Sequence, residues 1–261
     1  MQSPADSALS ERDRLLPTTR FRLDIEYVGE AFSGWQRQAF GITLQGVLEE
    51  ALARLCGHAV TLVAAGRTDA GVHALGQVAH FDTSCPRPEK VLLRAINATT
   101  PPDLTVLRVT QVSNAFHARH AARHREYLYR LSDRETPSAL DRGRVWHHPA
   151  TLDEKAMRRA ARILLGTHDF SAFRAARCQA KTPVRTLSRM EIHRSNDEIR
   201  VILGADGFLH HMVRNIVGSL VLVGQGKRSI AWFENVLASR DRTLAGATAP
   251  PHGLYLNRVL Y

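Results

Sequence analysis

Val60-Thr61-Leu62-Val63-Ala64-Ala65 runs directly into Gly66-Arg67-Thr68-Asp69-Ala70-Gly71-Val72-His73, and Gln77-Val78-Ala79-His80-Phe81 follows shortly after. The outer two stretches read as strands, because β-branched and alternating apolar residues suit a half-buried pleated surface. The octet between them is then a loop joining two segments of a sheet. Its glycines, Gly66 and Gly71, open backbone angles closed to other residues and let a ligand come near. It holds one fixed cation, Arg67, and one carboxylate, Asp69. An aspartate beside a glycine is a common turn former whose side chain bonds local backbone. A carboxylate is also a nucleophile, and a neighbouring cation favours its ionised form. Composition leaves both readings open.

Upstream, Phe21 to Val28 alternates apolar and polar residues and predicts a first strand. The loop Gly29 to Gln38 carries Phe32, Trp35, Gln36 and Arg37. Its aromatics could stack on bases or pack beneath the loop, the commoner fate of such side chains. Thr43 to Cys56 predicts a helix with Leu44, Val47, Leu48, Ala51, Leu52 and Leu55 on one face, Thr43 as N-cap and Gly57 as stop. Downstream, Pro88 to Ala98 predicts a second helix, with Val91, Leu92, Ala95 and Ile96 inward, ended by Pro101-Pro102. Leu104 to Val112 predicts another strand. This order suggests an α+β layer, an antiparallel sheet covered on one face by helices.

From Phe116 the composition changes. Phe116-His117-Ala118-Arg119-His120-Ala121-Ala122-Arg123-His124-Arg125 is dense in cations and suits either a solvated face or a phosphate-binding strip. Glu126 to Arg130 predicts a strand with Tyr127 and Tyr129 on one face. Thr151-Leu152-Asp153-Glu154 reads as a capping box, Thr151 at the N-cap, opening a helix through Leu165. Asp169 to Arg185 reads as irregular and basic. Leu187 to His193 and Glu198 to Leu203 predict a hairpin turned by Ser195-Asn196-Asp197. The next helix has Val213, Ile216, Val217, Leu220 and Val221 on its apolar face, with His210, Arg214 and Gly218 on another. An arginine near a helix start suits an anion, which also meets the exposed N–H groups there. His210 and His211 lack helical metal spacing and read as capping or packing residues. Gly253 to Tyr261 predicts a last strand.

Several blocks resemble the tRNA pseudouridine synthase A (TruA) family. They are the octet Gly66 to His73, the segment Ser33-Gly34-Trp35-Gln36-Arg37, Phe116-His117-Ala118-Arg119, His210 to Gly218, and Ala249 to Leu256. The resemblance spans roughly Phe21 to Tyr261 in the family order. It implies an α+β fold of two ferredoxin/RRM-like halves, their antiparallel sheets joined into one central sheet, with helices on one face and a catalytic cleft between the halves. It implies an isomerase making pseudouridine at positions 38 to 40 of the tRNA anticodon arm, with Asp69 as nucleophile, Arg214 paired to that carboxylate, and Tyr127 against the target base. Arg67, Arg119, Arg123, Arg37 and His211 are the expected substrate contacts. No cofactor or metal is expected, because the isomerisation imports no group and changes no oxidation state. The family is homodimeric, so a dimer is expected.

The totals agree with this. The chain has 261 residues, 44% hydrophobic and 23% charged, enough for a buried core. Its net charge of +10 favours a polyanionic partner, tRNA first. Cys56, Cys85 and Cys178 are odd in number and widely spaced, which suits a reducing cytoplasm; Cys178 reads as a small packed residue. No run approaches a membrane span, and residues 1–20 read as a flexible polar tail. The halves are expected at 21–115, carrying the Asp69 loop, and 116–261. Two rivals remain: a non-catalytic RNA-binding module, and a metal-dependent hydrolase using His73, His210, His211 and Asp69. A synthase acting on another RNA is a narrower alternative.

Overall fold

The computed structural model describes residues 18–261. The expected tail lies outside these residues, except that the first strand, β1 (Thr19–Tyr27), already includes Thr19 and Arg20. Arg20 accounts for the early start. Its guanidinium grips the Asp82 carboxylate through two contacts of 2.7 Å and also donates to the carbonyls of Asn114 and Phe116.

The chain continues through α1 (Leu44–Cys56), β2 (Val63–Ala64), β3 (His73–Thr83), α2 (Glu89–Asn97) and β4 (Leu104–Val112). It then forms β5 (His124–Ser132), β6 (Trp146–His147), α3 (Glu154–Ala161), β7 (Gly166–Asp169), β8 (Val184–Ser195) and β9 (Glu198–Ala205). It closes with α4 (Met212–Gly224), α5 (Ile230–Ser239) and β10 (Leu254–Leu260). Eight strands follow one path, β4-β1-β3-β10-β5-β9-β8-β7, with β2 added to β3 and β6 to β5. Pairing is antiparallel except between β10 and β3 and between β5 and β6. The fold class is therefore α+β, as expected. The last strand makes the sheet continuous: β10 pairs with β5 along most of its length and with β3 at Tyr255↔His73 and Leu256↔Ala74.

Alternation sets which face is buried. On β1, Phe21, Leu23, Ile25 and Tyr27 are buried, while Arg22, Asp24 and Glu26 lie on the other face. The inward row joins Leu44, Leu48 and Leu52 of α1 in the core, and Phe21 stacks on Phe81 of β3 with centroids 5.6 Å apart. Each such side chain contributes roughly 1.5–3 kcal/mol of burial. α1 is bounded as its sequence predicts: the Thr43 hydroxyl accepts from Gly46 N, and Gly57 takes a left-handed conformation at φ 74°.

Four local expectations change. Val91 of α2 is exposed, because Leu92 and Ile96, one turn apart, form the inward row and Val91 sits about 100° round from Leu92. The N-cap of α3 is Asp153, whose carboxylate accepts from Ala156 N. Thr151 is displaced from that role because Leu152 N is already bonded to Asp133 and holds the approach to the helix in place. The stretch read as irregular begins with the last residue of β7, a strand too short to show a period. His211 adopts φ 61° before α4 instead of lying within it. Among the described residues no helix is long and apolar enough to cross a membrane.

Candidate active site

The octet bridges β2 to β3 and is pinned from several sides. Thr68 O accepts from Trp35 N at 3.0 Å, and its hydroxyl meets Tyr27 Oη at 2.8 Å in the buried interior. Gln77 Nε2 donates to Gly66 O at 2.8 Å, and Val72 N donates to Asp69 O across the turn. The Trp35 loop lies flat against the octet because Gly34, at φ 95°, has no side chain; a Cβ there would sit 2.8 Å from Thr68 O. Trp35 and Phe32 point into the core, 2% and 4% exposed, so they pack under the loop and leave base stacking to others. Gly71 takes a positive φ, as its place in the octet predicts. Gly66 does not; a side chain there would face the Tyr127 hydroxyl, about 4.0 Å away, so Gly66 keeps that space open.

This framework holds Asp69 half-buried at the first turn of α4. Its Oδ2 accepts from Arg214 Nη1 at 3.0 Å. His210 Nε2 lies 3.3 Å from Oδ1, and His211 Nε2 lies 3.3 Å from Oδ2. Arg214 is itself fixed: its Nε donates to Ala249 O at 2.7 Å, and Ala249 N donates back to Arg214 O at 3.1 Å. That segment can approach because a turn later α4 has Gly218, where any side chain would run into the Ala247 carbonyl. A guanidinium held by two acceptors stabilises the carboxylate charge without reorganising.

Tyr127 lies on β5, opposite Leu203 of β9 and Leu256 of β10, with its ring edge-on to Phe208 at 5.0 Å. Burial, helped by the nearby Asp69 charge, pushes its phenol above the usual tyrosine range. It therefore stays protonated near neutrality. Tyr129, further along the strand, is locked by a 2.7 Å bond to Pro250 O.

The other expected residues are distributed unevenly. Arg67 is exposed and reaches Gln179 Oε1 at 3.5 Å; the cation on Asp69 is Arg214. Arg37 pairs with the buried Glu49 of α1 at 3.0 Å. Arg119 and Arg123 are exposed on the connection between β4 and β5. Nothing in the cationic run singles out Arg125, yet it ties the site together. Its guanidinium donates to Ala65 O and Arg119 O, and also to Ala122 O and Asp206 O. The octet's entrance and the basic connection thus share one side chain. His210, which reads from sequence as a capping or packing residue, also belongs to the site. Its backbone is held by Ala175 N and by Cys178 Sγ, from the loop after β7.

The ligating atoms of Asp69, His210 and His211 lie within 4.8 Å of one another, a spacing a metal ion could use. Arg214, at 3.0 Å from the same carboxylate, places a fixed positive charge against any such cation. His73, the fourth residue of the hydrolase reading, is elsewhere: its Nδ1 accepts from Gly29 N, and its Nε2 faces the carbonyls of Gly143 and His252.

A family model described as tRNA pseudouridine synthase matches residues 25–120 and 160–261. The tRNA pseudouridine synthase A of Paramagnetospirillum magneticum is 51% identical over 243 residues, covering 93% of this chain and 95% of that one. Those of Rhodospirillum rubrum and Xanthobacter autotrophicus are 48% and 49% identical over 93% of this chain, covering 87% and 99% of their own lengths.

Proposed function

Since the chain belongs to the tRNA pseudouridine synthase family, we propose that it isomerises uridine to pseudouridine at positions 38 to 40 of the tRNA anticodon stem-loop, with Asp69 as nucleophile. The observation that carries this reading is the Asp69 carboxylate, half-buried beside a guanidinium that is itself fixed, under the space that Gly66 leaves open to Tyr127. The uracil must leave C1′ through N1, turn, and rejoin through C5. Asp69 attacks C1′ of the sugar or C6 of the base, and Arg214 keeps the carboxylate aimed. Tyr127, protonated, packs against the base or donates to it. The target nucleotide is first drawn out of its stack, at a cost of a few kcal/mol that backbone contacts offset. Arg119, Arg123 and Arg67, all exposed, supply such contacts largely without reading sequence. Arg37 joins them from its pairing with Glu49, and His211 borders the base.

The enzyme works as a homodimer in the cytoplasm, with halves at 21–115 and 116–261. The free cysteines Cys56, Cys85 and Cys178 are compatible with a reducing compartment. Asp69→Asn tests the reading. It retains tRNA binding but releases no tritium from tRNA carrying 5-tritiated uridine. Turnover near wild type would remove Asp69 from the nucleophile role and favour a module that only binds RNA.

A further inference from the structure

The isomerisation leaves a proton problem that Asp69, Arg214 and Tyr127 do not solve. Where Asp69 has attacked C1′, C5 joins C1′ by displacing the carboxylate, still carries its hydrogen, and leaves a C6=N1 double bond in the ring. Where it has attacked C6, the C6–O bond to Asp69 takes the place of that double bond and breaks as the C5 proton leaves. The C5–H bond must break, and its electron pair becomes the C5=C6 bond. On the first route the C6=N1 pair then withdraws to N1, which takes a proton. One proton leaves carbon and one arrives at nitrogen, with no change in oxidation state. Arg214 cannot accept a proton in this range. The Tyr127 phenol is held protonated by burial. A carboxylate ordinarily titrates near 3.9 and imidazole near 6.5, so imidazole is the better acceptor at neutral pH.

Two imidazoles stand at the carboxylate. His210 lies 3.3 Å from one Asp69 oxygen and His211 3.3 Å from the other, and their ring centroids are 4.0 Å apart. Both side chains are partly open to the cleft, 41% and 30% exposed. His211 reaches its place only through a left-handed backbone, φ 61° and ψ 4°, at the N-cap of α4. Its side chain accepts no capping bond in return. A non-glycine residue in that conformation costs on the order of 1 kcal/mol, and such costs gather at functional sites. The groups facing His211 are Asp69 from the octet, the neighbouring His210, Arg214 of α4, and Arg242 from the segment after α5. Burial, the largest effect, together with the Arg214 and Arg242 charges, outweighs the opposing pull of the Asp69 carboxylate and favours its neutral form, which can accept a proton.

We propose that His211 takes the C5 proton and that the His210–His211 pair returns one to N1. The proposal rests on Asp69 as nucleophile and assigns the step that follows its attack.

The test separates proton transfer from positioning. His211→Asn is the first variant, because asparagine tolerates the left-handed conformation; His210→Asn, outside the helix, is the second. Each is assayed on tRNA with 5-tritiated, 5-deuterated or 5-fluorinated uridine. The fluorinated base has no C5 proton, so it reports the steps before proton removal. His211→Asn is expected to slow tritium release about a hundredfold and to show a primary deuterium isotope effect that the wild type lacks. Its consumption of the fluorinated substrate falls far less than its tritium release, so the ratio of the two rates departs from the wild-type ratio. A parallel fall on fluorinated and tritiated substrates, or release of tritium at the wild-type rate by both variants, overturns the proposal. Asp69→Asn run alongside stops all three substrates; if it does not, the nucleophile assignment has failed, independently of the histidines.

Discussion

Arg214 donates from Nη1 to Oδ2 of Asp69 at 3.0 Å, although 145 residues separate the two in the chain. The octet places the carboxylate, the first turn of α4 places the guanidinium, and the Ala249 carbonyl fixes the guanidinium from its far side. The negative charge is therefore met by a group that has already lost its freedom before substrate arrives. Preorganisation of this kind lowers a barrier because nothing has to turn when charge develops.

Arg214→Lys is expected to lose that preorganisation while keeping the charge. A lysine ammonium is a single point donor on a flexible stem and cannot hold Asp69 and Ala249 O in the arginine's fork geometry. The single-turnover rate of pseudouridine formation should fall by about 10²–10³, with tRNA affinity nearly unchanged. Wild-type rates in this variant would mean that charge alone suffices.

Gly34 and Gly66 should separate shape from access. Gly34→Ala forces a side chain onto a backbone at φ 95° and within 2.8 Å of Thr68 O, so unfolding in urea should show a loss of roughly 2 kcal/mol or more. Gly66→Ala meets nothing nearer than the Tyr127 hydroxyl at 4.0 Å, so its stability should match wild type while kcat/KM falls. Equal destabilisation by both would contradict the loop geometry.

These positions also show where sequence is informative. Thr43 and Gly57 announce α1 because caps are local. β4 is legible over its full range because Val and Thr fill it and Pro101-Pro102 bounds it. β7 is invisible because Gly166–Asp169 has no room for alternation and forms only by pairing with β8. Asp69, Tyr127 and Arg214 are recognisable through motif resemblance. Periodicity says nothing of them, since their meeting depends on where β10 stitches the sheet and where α4 begins. Arg125 looks like one more cation in a run; that it binds four carbonyls is a property of the folded chain. His210 is hidden because helical spacing with Arg214 and Gly218 absorbs it into a helix that begins after it.

Neutralising Arg119 and Arg123 together should reduce the salt dependence of tRNA binding. Arg125 holds the Arg119 carbonyl at 2.6 Å and the Ala65 carbonyl at 3.1 Å, which sets the exposed Arg119 side chain beside the octet. Removing one phosphate-binding cation should lower the slope of log K against log salt by about 0.7–0.9. Binding measured between about 50 and 200 mM salt should therefore give a line shallower by about 1.4–1.8 in Arg119→Gln/Arg123→Gln. Parallel lines would remove both side chains from the RNA interface.

Acid should destabilise the fold through His80. This side chain is 4% exposed, and its Nδ1 accepts from Ala118 N at 3.1 Å, which requires a lone pair. Burial, with Arg20 and His117 nearby, brings its pKa down to about 4 from 6.5. Below pH 6.5 the unfolded chain therefore binds a proton that the folded chain refuses. The His80 contribution is fully present above about pH 6.5 and is lost as pH falls toward about 4, for a total on the order of 3 kcal/mol. His80→Asn keeps an acceptor for Ala118 N and removes the titration. Urea unfolding at about pH 7, 6 and 5 should give a flatter stability curve for this variant than for wild type. His73, whose pKa is also lowered by burial, contributes equally to both curves, so it cancels in the difference. Identical slopes would place the acid sensitivity somewhere other than the contact between β3 and the basic connection.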